Sequence, residues 1–281
     1  MLGKLFKYEW KSVSRIGGLL LLIAGGITIL GMITVRLSFG HVMMDEDSAM
    51  GALTAVLGVM GFMIFCLCLA SISYGIFIYL GVRFYKTMYG DEGYLTHTLP
   101  VTNHQLLLSK ILVGGIWSIL VALTMALAML LFVASFAGTA TIADGSWWVG
   151  FADVWRGIFE TFADMDAGSK ARAVIVLLLF LLTAFASIAG LYGSITMGQL
   201  FKKHRGLMAI ICYFVYLFVV WLIGFVGGIF MSINLALLSD ESDVLTSYMD
   251  TYIIGQVVIL IMGVVMYFVA HYINEQKLNM E

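Results

Sequence analysis

The side chains that most often carry chemistry are sparse and scattered in this sequence. Five histidines, His41, His97, His104, His204 and His271, lie far apart, between apolar runs or at their ends. Three cysteines, Cys66, Cys68 and Cys212, fall inside such runs. Two thiols one residue apart could begin a soft-metal site, but Cys66-x-Cys68 has no nearby histidine or carboxylate to complete a four-ligand shell. An odd number of thiols in apolar runs argues against a disulfide framework; helix packing is the expectation for all three. The middles of the apolar runs are free of Asp, Glu, Lys and Arg. A charge at a bilayer centre costs at least ~2.5–3.5 kcal/mol on insertion scales, and those retained usually mark ion or proton routes. Their absence counts against a proton- or sodium-coupled transporter, and against an enzyme with an embedded acid–base pair or metal. No Gly-x-x-x-x-Gly-Lys-[Ser/Thr] phosphate loop occurs. The expectation is therefore no catalytic residue, no metal and no cofactor bound by this chain; energy for any uphill work must come from another one.

The framework is that of a membrane protein. Charged residues make up 11% of the chain and mean hydropathy is +1.01, against about 25% charged residues in soluble domains. Apolar runs long enough to cross a ~30 Å hydrocarbon core recur. They predict an all-α polytopic protein, a single transmembrane domain over 1–281 with spans at 17–38, 50–82, 109–137, 173–200, 207–236 and 252–272. The first run is too long for a signal-peptide core, and Ser38–His41 offers no small-x-small cleavage pattern, so it is expected to be kept as a span. Lys4, Lys7, Lys11 and Arg15 precede span 1; Arg83, Lys86 and Lys110 bracket the loop 83–108; Lys202, Lys203 and Arg205 crowd the next basic loop. Asp45, Glu46, Asp47, Asp240, Glu241, Asp243 and Asp250 mark the alternate loops. The positive-inside rule then puts both termini in the cytoplasm, although Arg156, Lys170 and Arg172 in the outer loop 138–172 weaken the contrast there.

Two segments read as amphipathic helices. In residues 1–16, Leu2, Leu5, Phe6, Trp10 and Val13 share one face and the four basic residues the other, the profile of a helix lying in the cytoplasmic interface. Glu9 falls on the apolar face, where lipid would penalise it. It is expected to face protein and pair with a basic or polar group of a cytoplasmic loop; the alternative is a carboxylate reaching to water. In 146–164, Trp147, Trp148, Phe151, Val154, Trp155, Ile158, Phe159 and Phe162 form one arc and Asp153, Arg156, Glu160 and Asp164 the other. An aromatic-rich helix at the outer leaflet is the plain reading; gating or receipt of an amphipathic substrate is the sharper one.

The loop after span 2 holds the most information. Asp91 can cap a short helix whose first turn carries Glu92. Pro100, the only proline, breaks that helix and makes a corner. Thr102 and Gln105 form a capping box at the entry to span 3. A short helix, a corner and a helix entering the membrane make a rigid lever.

Here the chain resembles the permease subunits of the ABC-2 type family of ATP-binding-cassette transporters. The resemblance rests on Gly90-Asp91-Glu92-Gly93-Tyr94-Leu95, on Thr98-Leu99-Pro100-Val101 and on Leu106-Leu107-Leu108-Ser109-Lys110. It extends to the basic amphipathic start (an elbow helix in relatives), the six spans and the lack of a nucleotide site. It implies that Tyr89, Gly90, Asp91, Glu92, Gly93, Tyr94, Leu95, Thr96, His97, Thr98 and Leu99 form a coupling helix that docks on an ABC ATPase subunit, which would hold ATP and Mg. It also implies a second permease copy or a similar permease chain, and a multi-pass location in the bacterial plasma membrane. An uncharged lining would suit an amphipathic or lipophilic cargo, such as a hydrophobic peptide, lipid or drug. No nucleic-acid partner is expected. A non-transporting membrane assembly protein and a membrane-embedded enzyme remain as alternatives. Gly224-x-x-x-Gly228 permits close helix approach; the methionines are read as packing; the acidic stretch 240–250 stands where relatives have re-entrant helices, and is short and polar here.

Overall fold

The structure is a computed structural model and describes residues 2–42, 49–90, 93, 102–140, 147–201, 203–237 and 241–276. Among the described residues there are seven helices and no strand: α1 (Leu2–Val42), α2 (Ala49–Tyr89), α3 (Asn103–Ala140), α4 (Trp147–Asp164), α5 (Ala167–Gly198), α6 (Arg205–Leu237) and α7 (Glu241–Gln276). All but α4 are long and apolar enough to cross a membrane. Helix is the solution that satisfies every backbone donor and acceptor within one apolar segment. Hydroxyls along the spans are absorbed in the same way: Thr28 donates to the Ala24 carbonyl and Ser194 to that of Gly190, each at 2.8 Å.

The helices run further than the apolar runs. α5, the shortest of the six at 32 residues, already reaches about 48 Å at 1.5 Å per residue, well beyond a ~30 Å core. The expected division between an N-terminal helix ending at 16 and a span starting at 17 is absent, for α1 is one uninterrupted helix. α7 begins at Glu241, ahead of the expected 252, and carries Asp243 and Asp250 with no re-entrant break. The cause is the lack of breakers. The only proline is Pro100, so polar flanks with adequate helix propensity simply extend the apolar cores.

Two compact units divide the chain. The unit of Ser14–Ile76 and Leu120–Met165 has a core of Val35, Phe65, Leu69, Ala128 and Phe132, with the Phe65 and Phe132 rings stacked at 4.7 Å. The unit of Met1–Val13, Phe77–Ile119 and Asp166–Glu281 is built on the crossing of α5 with α7. A Cβ placed on Gly263 would lie 2.5 Å from Ala186 Cβ, and one on Gly193 would lie 2.7 Å from the Met266 carbonyl oxygen. Small residues at these two levels let the backbones touch, the device by which helices associate where lipid removes the hydrophobic drive. α5 ends at Gly198 and α6 begins at Arg205; His204 makes the turn with φ 56°, a left-handed conformation costly for a residue with a Cβ.

Candidate functional site at the base of the α2–α3 loop

The first turns of α1 turn their apolar arc toward protein. Val13 is buried, and the Trp10 ring packs on Trp117 with centroids 5.3 Å apart, while Lys4, Lys7 and Lys11 are exposed. Part of an arc expected to lie in lipid is here turned to protein, with Trp10 against α3, while Leu5 and Phe6 stay half-buried. That placement explains why a carboxylate sits on it.

Glu9 Oε2 accepts from Arg83 Nη2 at 2.8 Å and from Nε at 3.3 Å, while Glu9 Oε1 faces Lys110 Nζ at 2.5 Å. Arg83 also donates through Nη1 to the Ser12 hydroxyl. Lys110 donates to Thr87 Oγ1 at 2.8 Å, and the Thr87 hydroxyl donates to the Arg83 carbonyl at 2.9 Å. The Lys110 side chain is 4% exposed, and those of Glu9 and Arg83 are 18% and 19% exposed. Charges so withdrawn from water are tolerable only when paired and hydrogen-bonded throughout. Beneath them Phe84 stacks on Tyr192 at 4.0 Å. The space left between Glu9, Arg83, Thr87, Lys110 and Tyr192 is on the scale of one water molecule. It has room for a water, not a cargo.

A second tie stands beside the first. The Tyr89 hydroxyl donates to Asn274 Oδ1 at 2.8 Å and lies 2.8 Å from Thr196 Oγ1. Asn103 Nδ2 donates to the Asn274 carbonyl at 3.5 Å. The loop between Tyr89 and Asn103 is thus held at both mouths twice over. Glu9 joins Arg83 of α2 to Lys110 of α3; Asn274 joins Tyr89 of α2 to Asn103 of α3. At the entry to α3 the Gln105 N–H donates to Thr102 Oγ1 at 3.3 Å, one half of the expected capping box.

Of the loop itself, Gly90 closes α2 by donating to the Tyr85 and Lys86 carbonyls at 3.1 and 3.2 Å, and Gly93 N–H returns to the Gly90 carbonyl at 2.8 Å. Asp91, Glu92, Tyr94, Leu95, Thr96, His97, Thr98, Leu99 and the corner Pro100 lie outside the described residues. Tyr89, a docking candidate by sequence, has its hydroxyl engaged inside the chain. Sequence reasoning missed Thr196, Asn274 and Asn103, whose short polar side chains have no distinctive spacing. It had noted Arg83 and Lys110 as loop brackets without assigning them to Glu9.

Among the described residues no three or more His, Cys, Asp or Glu are grouped to hold a metal ion, and Cys66, Cys68 and Cys212 are free thiols. His104 and His271 approach with ring centroids 5.8 Å apart, and His271 Nε2 is 3.6 Å from Glu275. Comparison with protein-family models, with curated proteins and with solved structures finds no match to this chain.

Proposed function

We propose that this chain is the membrane-spanning permease subunit of an ABC exporter, moving an amphipathic or lipophilic cargo with ATP hydrolysed on a separate subunit. The chain is a polytopic membrane protein with six possible spans. The observation that carries the finer reading is the double tie at the base of the α2–α3 loop. A push on a loop with slack flanks would be absorbed locally. Here both flanks are pinned, to the start of α1 through Glu9 and to the end of α7 through Asn274. Displacement of the loop would therefore be passed to five helices at once, α5 being met through Thr196. That is what a chain lacking a nucleotide site needs if another chain supplies the work. Coupling of this kind requires two discrete arrangements of the tied elements, biased by the partner's nucleotide state.

In this proposal the segment from Tyr89 to Leu99 docks on the ATPase subunit, which binds ATP and Mg. A second permease copy or a similar chain completes the path, and both termini lie in the cytoplasm at a bacterial plasma membrane. The test is co-purification with candidate nucleotide-binding subunits, comparing wild type with a Glu92→Arg, Tyr94→Ala double variant. The proposal expects stable association by wild type, loss of it in a variant that still folds, and ATP hydrolysis stimulated by a lipophilic cargo. Equal binding by the variant, or no ATPase partner at all, would sink the docking assignment. Association without cargo-stimulated hydrolysis would point instead to an assembly protein.

A further inference from the structure

The geometry points to α4 as a helix that lies flat in the membrane–water boundary, its aromatic arc immersed in lipid. Wound at 100° per residue, Val154, Ile158, Phe162, Trp155 and Phe159 fall on one arc, and Asp153, Arg156, Glu160 and Asp164 on the opposite one. Trp155, Ile158, Phe159 and Phe162 are all exposed. A furrow runs along the same side, lined by Val154, Ile158, Thr161, Phe162 and Met165 around Gly157, whose missing side chain would meet nothing within 4 Å. Four large apolar side chains on one stripe would be a strong attraction for any apolar surface in water.

The occupant follows from connectivity. Only Met165 and Asp166 separate α4 from α5, one of the six possible spans. Asp166 has extended backbone, φ −64° and ψ 163°, and its side chain caps α5 by accepting from the Gly168 N–H at 2.8 Å, so helix α4 stops before the span begins. A helix tethered by two residues to the start of α5 stays near the bilayer surface, within reach of the headgroup–acyl boundary. At 18 residues α4 is about 27 Å long, too short and too charged on one side to cross. A helix with opposed apolar and charged arcs, held at that depth, binds with its apolar face ~5–10 Å into the headgroup–acyl boundary, where Trp is favoured. The charged arc then faces water, and the Arg156–Asp153 pair at 3.9 Å stays solvated. This assignment is independent of the transport proposal.

The test uses full-length protein in phospholipid nanodiscs, with Cys66, Cys68 and Cys212 replaced by serine and single nitroxide labels placed along α4. Labels at Trp155, Phe159 and Phe162 should be relaxed more by oxygen than by a water-soluble nickel chelate, and labels at Asp153, Arg156 and Glu160 the reverse. Arc labels reached by neither reagent would mean that protein, such as a second copy, covers the arc. Arc labels relaxed mainly by nickel would mean that it stands in water. Either result overturns the assignment. Should the serine background fold poorly, brominated lipids give a second reading without cysteines. Wild-type fluorescence should be quenched most by shallow bromines, and Trp155→Phe should reduce the quenched fraction; an unchanged fraction would refute lipid contact at that residue.

Discussion

Glu9 and Lys110 stand 101 residues apart in the sequence and 2.5 Å apart in the fold. The same carboxylate takes Arg83 on its other oxygen. One anion is thus shared by the last turns of α2 and the first turns of α3, on either side of the loop proposed to receive the ATPase.

Removing that anion should be costly. Glu9→Gln leaves Arg83 and the nearly inaccessible Lys110 facing each other without a counter-charge. Truncating one partner of a buried pair typically costs ~3–5 kcal/mol, and partial exposure of Arg83 and Glu9 argues for the lower end, about 3 kcal/mol. Thermal unfolding in mixed detergent–lipid micelles should show the loss. Lys110→Met added to Glu9→Gln should cost less than the two changes summed, since it removes the stranded cation. Strict additivity would mean that the pair does not form.

The Tyr89 tie is weaker and neutral. Tyr89→Phe keeps the ring against Phe84, centroids 5.9 Å apart, but takes the donor from Asn274 Oδ1, while Thr196 keeps its bond to the Tyr192 carbonyl. The expected cost is about 1–2 kcal/mol. Amide exchange in residues 90–102 should also quicken, because the mouth of the loop is loosened on one side. Unchanged exchange there would confine Tyr89 to a packing role.

The six apolar helices and α4 were legible because hydropathy over ~20 residues and a 100° arc are collective signals that no single substitution can hide. Glu9 was legible for the opposite reason: one carboxylate on an apolar face calls for either a protein partner or a path to water. Which partner was not, because Arg83 and Lys110 come within reach only once three helices have packed. Asn274 was invisible, since an asparagine near a helix end looks like a surface residue until Tyr89 and Asn103 are placed beside it. A helix end was misjudged where a polar flank kept helical structure ahead of the apolar run, at 241–251 in α7, whereas the helix expected over 1–16 is present and simply runs on into the span as α1. Hydropathy measures where lipid ends, not where the helix does.

The glycines make two opposite predictions. At Gly263 a side chain would drive into the backbone of Ala186, so Gly263→Leu should separate α5 from α7 and cost ~1–3 kcal/mol or more. At Gly224 and Gly228 an added Cβ meets nothing within 4 Å, so Gly224→Leu should leave the melting temperature of the isolated chain unchanged. If a second permease seats on that part of α6, the same substitution should lower the dimer fraction in cross-linking or light scattering. An unchanged dimer would place the contact elsewhere, and a destabilised monomer would mean that the α6 face is covered within the chain.

The joint between α4 and α5 carries a pH dependence. Hydrogen bonds from the Ser169 side chain and from the backbone N–H groups of Ser169 and Gly168 hold the Asp166 carboxyl below its ordinary range. The unfolded chain therefore binds that proton more readily than the folded one. The stabilisation is complete above the unfolded value of about 3.9 and is lost as pH falls through the lower folded value. Asp166→Ala should unfold at lower temperature than wild type at neutral pH, and the gap should close as pH falls below about 4. Asp166→Asn keeps a cap without a titrating group, so its advantage over alanine should hold across the same range. A wild-type advantage over alanine that persists undiminished at pH 3 would show that the carboxylate is not what starts α5.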